Sequence, residues 1–240
     1  MNALNNEIEP TPTMAEQADI HDLYQKSVQS PDNDMELLSD YFKEYTGKVL
    51  RHFREDFCGT AYLSSYFVTQ HAKNHAIGVD LDWPTLNWGI KHNISPLSPD
   101  QQQRISLVNE NVLDVHQPRS QMIAALNFSY MVFHDRPTLL QYLTYAKESL
   151  QPGGVLVMDI WGGSESQVLQ EEPREIENQE DEQIGDFIFT WDQDKKISLR
   201  KRYVAADRGA LVVIVHECGP TWIHWSGLVG DRNTRGGLEA

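Results

Sequence analysis

Gly59 and Asp80 lie about 20 residues apart, the spacing between a ligand-cradling glycine turn and an acid that accepts hydrogen bonds from a ribose. The glycine belongs to E-D-F-C-G-T-A over 55–61, and the acid follows the short apolar run Ala76-Ile77-Gly78-Val79. The chemistry indicated is the binding of a nucleoside cofactor. A dinucleotide needs several glycines so that its pyrophosphate can approach a helix N-terminus. Phe57 and Ala61 stand where two of those glycines belong, and Glu55 and Asp56 put negative charge at the mouth. Such a turn suits a ligand with a cationic centre and no phosphates.

Elements on both sides must hold these residues. Val49, Leu50, Phe53 and Phe57 lead as a strand into Cys58-Gly59-Thr60, and Leu63, Tyr66 and Phe67 at helical spacing predict a helix over 62–70. A buried strand over 76–79 precedes Asp80, and Trp83-Pro84 opens a helix running to about Lys91. Strands follow at 105–108 and 121–126, the second emptying into Asn127-Phe128-Ser129-Tyr130. The span 137–150 is amphipathic through Leu139, Leu140, Leu143, Ala146 and Leu150, and Pro152-Gly153-Gly154 stops it before a fifth strand at 155–160. Upstream, Asp19 caps a helix reaching about Ser27, and a second helix over 35–45 ends at Gly47. Strands alternating with helices predict an α/β fold with a doubly wound sheet.

The turn resembles motif I of class I S-adenosylmethionine-dependent methyltransferases, commonly acid-x-Gly-Cys-Gly-Thr-Gly. More closely, E-D-F-C-G-T-A with V-D-L-D resembles a bacterial family of such enzymes, and L-x-P-G-G-x-L-x-x-D over 150–159 is similar to their turn into the fifth strand. The likeness covers about Tyr24 to Tyr203. It implies a Rossmann-like, seven-strand-type sheet, S-adenosyl-L-methionine as cofactor and methyl transfer to a small-molecule acceptor. It places Glu55 and Gly59, with Cys58 and Thr60, at the cofactor's amino-acid portion. Asp80, beside Leu81, would meet the ribose, and Asn111 and Val112 the adenine. The segment Y-Q-K-S-V-Q-S-P is similar to a helical cap over the cofactor cleft, which makes Tyr24 and Gln29 further candidates. The quartet Asn127 to Tyr130 is loosely similar to the Asn-Pro-Pro-Tyr box of amino-group methyltransferases, with Asn127 and Tyr130 as the catalytic candidates. Plainer roles stay open: Thr60 as a helix cap, Cys58 as a small turn residue, and Asn127 as a cap with Phe128 and Tyr130 packing the cleft. Nothing fixes whether the acceptor atom is nitrogen, oxygen or carbon.

The 240 residues suffice for one α/β domain, and the net charge of −15 argues against a phosphate-backbone partner. No run is long enough to cross a membrane, the N-terminus lacks the apolar core of a signal peptide, and Cys58 and Cys218 make no disulfide framework. No metal set is evident, and a cytoplasmic location fits. The expected organisation is a disordered tail over 1–18, a helical cap over 19–47, a methyltransferase domain over 48–215 and an irregular tail over 216–240. An acidic loop or lid spans 165–186, followed by a hairpin of strands over 186–191 and 197–204. The helix that normally precedes the closing strand is not visible in the sequence. The C-terminal edge of the sheet is therefore expected to be incomplete, through divergence or a frameshift. Two rivals remain, an NAD(P)-dependent oxidoreductase and a non-catalytic protein that kept the fold. The first lacks a Tyr-x-x-x-Lys pair.

Overall fold

The computed structural model describes residues 18–162, 170–177, 183–193 and 210–217. Helix α1 (Ile20–Val28) starts at Asp19, whose carboxylate accepts the His21 and Asp22 amides. Helix α2 (Pro31–Thr46) uses Pro31 as its first residue and ends on left-handed Gly47. It begins several residues earlier than apolar spacing alone suggests. Next come β1 (His52–Asp56), α3 (Tyr62–Gln70), β2 (His75–Val79) and α4 (Trp83–Gly89), which runs on into a π-helical turn. A single-turn α5 (Pro99–Gln102) leads to β3 (Ile105–Val108) and β4 (Ser120–Ala125). Helix α6 (Arg136–Ser149), capped by Asp135, then feeds β5 (Leu150–Gly162).

The strands form a sheet in the order β3-β2-β1-β4-β5-β8, where β8 is Ala210–Glu217 and every neighbouring pair is parallel. Strand order reverses between β1 and β4, which makes the sheet doubly wound and opens a crevice at the carboxyl ends there. Alternate residues serve opposite faces. Met122, Ala124, Val155 and Val157 pack with Phe53, Leu38 and Phe42 on the side of α2 and α3. Ile123, Ala125, Leu156 and Met158 pack with Tyr142 and Leu139 on the side of α6.

The C-terminal part departs from expectation in two ways. Residues 170–177, expected as acidic loop, form strand β6 (Gln170–Glu177), paired antiparallel with β7 (Gln183–Gln193) in a separate ribbon. A two-stranded ribbon is held by its backbone ladder, so the apolar alternation used to recognise strands is not required of it. The sheet is also closed by a parallel β8, not by the seven-strand arrangement. Among the described residues, the path from β5 to β8 carries this ribbon and no helix. The tail over residues 1–17, the strand expected over 197–204 and the stretch beyond 217 lie outside the described residues.

Candidate active site

The turn after β1 shows how the chain manages with one glycine. Phe57, Gly59 and Ala61 have φ of 60°, 54° and 54°. Left-handed backbone is thus kept at all three positions, although only one residue adopts it freely. Each of the other two carries a penalty of about 1–2 kcal/mol, and such penalties persist where a site requires the geometry. The other residues explain how it is held. Ala61 is fully buried, and the Phe57 ring sits against Phe133 and Tyr142. The Cys58 side chain packs on β2 so closely that a Cβ at Gly78 would come within 2.8 Å of its sulfur. Burial holds this thiol well above its usual range, so Cys58 serves packing and not nucleophilic chemistry.

Asp80 clamps the turn from β2. One carboxylate oxygen accepts the Gly59 amide at 2.7 Å and the other accepts the Asp82 amide at 2.8 Å. Asn109, which sequence reasoning missed, donates its side-chain amide to the Asp80 and Leu81 carbonyls at 3.0 and 2.9 Å. Leu81 itself is 68% exposed.

Glu55 and Asp56, adjacent on β1, face opposite sides and meet different fates. Asp56 is buried with Arg54, whose Nε donates to it at 2.6 Å, and the Tyr142 hydroxyl donates to its other oxygen at 3.0 Å. Glu55 has no such cation. Its Oε2 accepts the Ser64 amide at 3.0 Å and the Ser64 hydroxyl at 2.6 Å. Ser64 lies in the first turn of α3, whose N-cap Ala61 offers no side-chain acceptor. A carboxylate from β1 therefore occupies the amide end of this helix. Burial pushes Glu55 up to about 7, against the pull of the two Ser64 bonds and with the charges of Asp34 and Asp80 adding to it.

A cavity of about 360 Å³ opens over these groups. The residues of 55–60 form its floor, Leu126, Asn127 and Ser129 beyond β4 one wall, and Thr85 of α4 another. Ile20, His21 and Tyr24 of α1, with Gln29 at the α1–α2 corner, cover it. Helix α1 buries none of its residues; two polar contacts tie it down. Gln25 donates to the Thr60 hydroxyl at 2.6 Å, and the Trp88 indole donates to Asp19 at 2.6 Å. Thr60 thus accepts from α1 and does not cap α3.

Asn127 and Phe128 are also left-handed, with φ of 54° and 56°. Both amides, at 2.8 Å each, donate to Asp159 of β5. Asn127 does not cap the next helix; Asp135 does. Burial raises Asp159 to about 6 and Asp34 to about 6. Of the residues singled out in the sequence, the cavity gathers Tyr24, Gln29, Glu55, Cys58, Gly59, Thr60 and Asn127, with Asp80 bonded to its floor. Leu81, Asn111, Val112 and Tyr130 are not on its lining. Asn111 spends its side-chain oxygen on the Leu113 amide, while Val112 and Tyr130 are buried in the core beside α6. In the sequence Asp159 reads only as the last position of the L-x-P-G-G-x-L-x-x-D turn and Asp34 not at all, because nothing local to either residue marks it as reaching this site.

No family model matches the chain, and no curated protein matches it in sequence. Solved structures do match in shape. SAM-bound CalS10, an amino pentose methyltransferase from Micromonospora echinaspora, superposes with a TM-score of 0.53 at 14% identity, over 71% of this chain and 66% of that one. The sugar N-methyltransferase KedS8 from Streptoalloteichus sp. gives 0.51 at 17% identity, over 73% and 66%. The chain thus spans just under two thirds of the length of either. What it shares with them is the fold: a doubly wound, Rossmann-like sheet of the kind that class I methyltransferases build.

Proposed function

We propose that the protein is an S-adenosylmethionine-dependent methyltransferase acting on a small-molecule acceptor. One observation carries this reading: the Glu55 carboxyl accepts the Ser64 amide in the first turn of α3, at the floor of the cavity. In dinucleotide enzymes that helix end holds a pyrophosphate. Here a carboxyl of the protein already occupies it, so a pyrophosphate would have to displace that group, and above pH 7 would also meet its negative charge. A phosphate-free, cationic nucleoside fits the same floor, and Gly59 and Asp80 offer the left-handed turn and the carboxylate that a nucleoside requires. This argument replaces the one from missing glycines, since the turn keeps its left-handed backbone without them.

In this reading Glu55 and the Gly59 backbone hold the amino-acid end of the cofactor, with Cys58 and Thr60 shaping the turn. Asp80 takes the ribose hydroxyls beside Leu81, and the adenine meets only the backbone of Asn111 and Val112, since the Asn111 oxygen is spent on the Leu113 amide and the Val112 side chain is buried. The bound cofactor would supply a methyl group already activated by its sulfonium. The protein must then align an acceptor and exclude water. Asn127, fixed by Asp159 at the end of β4, is placed for alignment, with Tyr130 packing behind it. The resemblance to KedS8 and CalS10, described as acting on sugars, supports a small acceptor. The charge of −15 weighs against nucleic acid. No helix among the described residues is long and apolar enough to cross a membrane, and we place the protein in the cytoplasm. Incubation of a cell extract with methyl-labelled cofactor tests the proposal. A protein-dependent, labelled small molecule supports it, and label found only in macromolecules contradicts it.

A further inference from the structure

Among the described residues, one buried side-chain polar atom lacks a hydrogen-bond partner: Oε1 of Gln29. Buried amide oxygens are nearly always paired, because leaving one unpaired sacrifices its solvation for nothing. Gln29 ends α1, and its backbone amide is spent on the Gln25 carbonyl at 3.1 Å. Its side chain lines the cavity alongside Glu55 and Asn127. The terminal torsion of a glutamine is soft, so a small rotation presents the oxygen to a ligand.

The missing partner must be a hydrogen-bond donor, and the surroundings say of what kind. Of the lining residues, Glu55 is an unneutralised carboxyl and Asp56 is already matched by Arg54. Asp34, in the first turn of α2, is half-buried and its charge acts on both Glu55 and the buried Asp159. Among the described residues, the lining contains no Lys or Arg. A cavity of this sign attracts a cation, and the cationic hydrogen-bond donor common in small molecules is an ammonium.

We propose that Gln29 Oε1 receives an N–H of a ligand ammonium, making Gln29 a binding residue that joins the α1–α2 corner to the bound molecule. The assignment rests on the methyltransferase reading, in which two sources exist: the amino-acid end of the cofactor, or an amine acceptor.

Gln29→Met keeps the volume and removes the acceptor. Ligand-free Gln29→Met should melt at the same temperature as the parent or higher, since an unsatisfied polar atom has been removed. Both proteins are titrated with S-adenosylhomocysteine and with 5′-methylthioadenosine, which shares the nucleoside and thioether but lacks the aliphatic ammonium and carboxylate of the amino-acid end. Ethylammonium is then followed by saturation-transfer NMR in the presence of excess S-adenosylhomocysteine. At least tenfold weaker S-adenosylhomocysteine binding, with 5′-methylthioadenosine within twofold, supports the proposal and assigns the cofactor as the source. Unchanged nucleoside binding with loss of the ethylammonium signal supports it with an acceptor as the source. Equal losses for both nucleosides, no loss in any arm, or a lower melting temperature of the ligand-free variant overturns it. If the parent binds ethylammonium but neither nucleoside, and Gln29→Met loses it, the cofactor reading fails while the Gln29 assignment stands. A parent that binds none of the three probes overturns both.

Discussion

Replacing Glu55 with Gln separates what this carboxyl does for binding from what it does to stability. Burial raises it from 4.5 to about 7 in the folded chain. The folded state therefore keeps a proton that the unfolded chain releases, and stability that is complete below pH 4.5 is lost as pH rises towards 7. At ~1.4 kcal/mol for each pH unit, the whole loss is about 3 kcal/mol. Gln carries no charge and keeps an oxygen for the Ser64 amide, so the variant escapes that loss. Urea unfolding of ligand-free protein should show Glu55→Gln more stable by about 1.4 kcal/mol at pH 5.5 and about 3 kcal/mol at pH 8. Asp34 and Asp159 are present in both proteins, and the repulsion between Asp34 and Glu55 is already part of the Glu55 shift. Over the same change, affinity for S-adenosylhomocysteine at pH 8 should fall at least tenfold, because the ligand ammonium loses an anionic partner. A variant no more stable than the parent at pH 8, or a gap that does not grow with pH, refutes the reasoning.

Other substitutions probe the supports of the site. Gly59→Ala should fold, because its Cβ would meet nothing nearer than Thr85 Cγ2 at 3.9 Å. The left-handed backbone should cost about 1–2 kcal/mol in urea unfolding, and the methyl, pointing at the ligand, should weaken calorimetric S-adenosylhomocysteine binding about a hundredfold. Asp80→Ala removes the acceptor of the Gly59 and Asp82 amides. Cofactor affinity should drop roughly ten- to a hundredfold, and unchanged affinity would place the ribose elsewhere. Tyr142→Phe deletes a buried hydrogen bond to Asp56 and should lower stability by about 1–2 kcal/mol while leaving cofactor affinity within twofold.

Much of the fold was legible because it is written in local periodicity. Helix α3 and strand β3 fall where apolar spacing placed them, and Gly59 and Asp80, paired by spacing as parts of a nucleoside site, meet in a hydrogen bond to each other. Features that depend on distant partners were not legible. Asp159 reads as the closing acid of the 150–159 motif, yet its carboxylate fixes a turn 31 and 32 positions upstream. Glu55 reads as one of two mouth acids, but the strand's alternation sends Asp56 to Arg54 and Glu55 to the amide end of α3. Phe57 and Ala61 read as losses of glycine, whereas core packing on both holds the left-handed backbone that glycine usually supplies. Strand β6 was hidden by its acidity, since charge marks solvation and not backbone conformation.

The central claim is that a carboxylate on the α3 N-terminus selects a cationic nucleoside over a dinucleotide. Isothermal titration of the parent protein with S-adenosylmethionine, S-adenosylhomocysteine and NAD tests it most directly. The account predicts one-site, micromolar binding of the first two and no heat of binding from NAD up to millimolar concentration. Saturable NAD binding that S-adenosylhomocysteine fails to displace would contradict it.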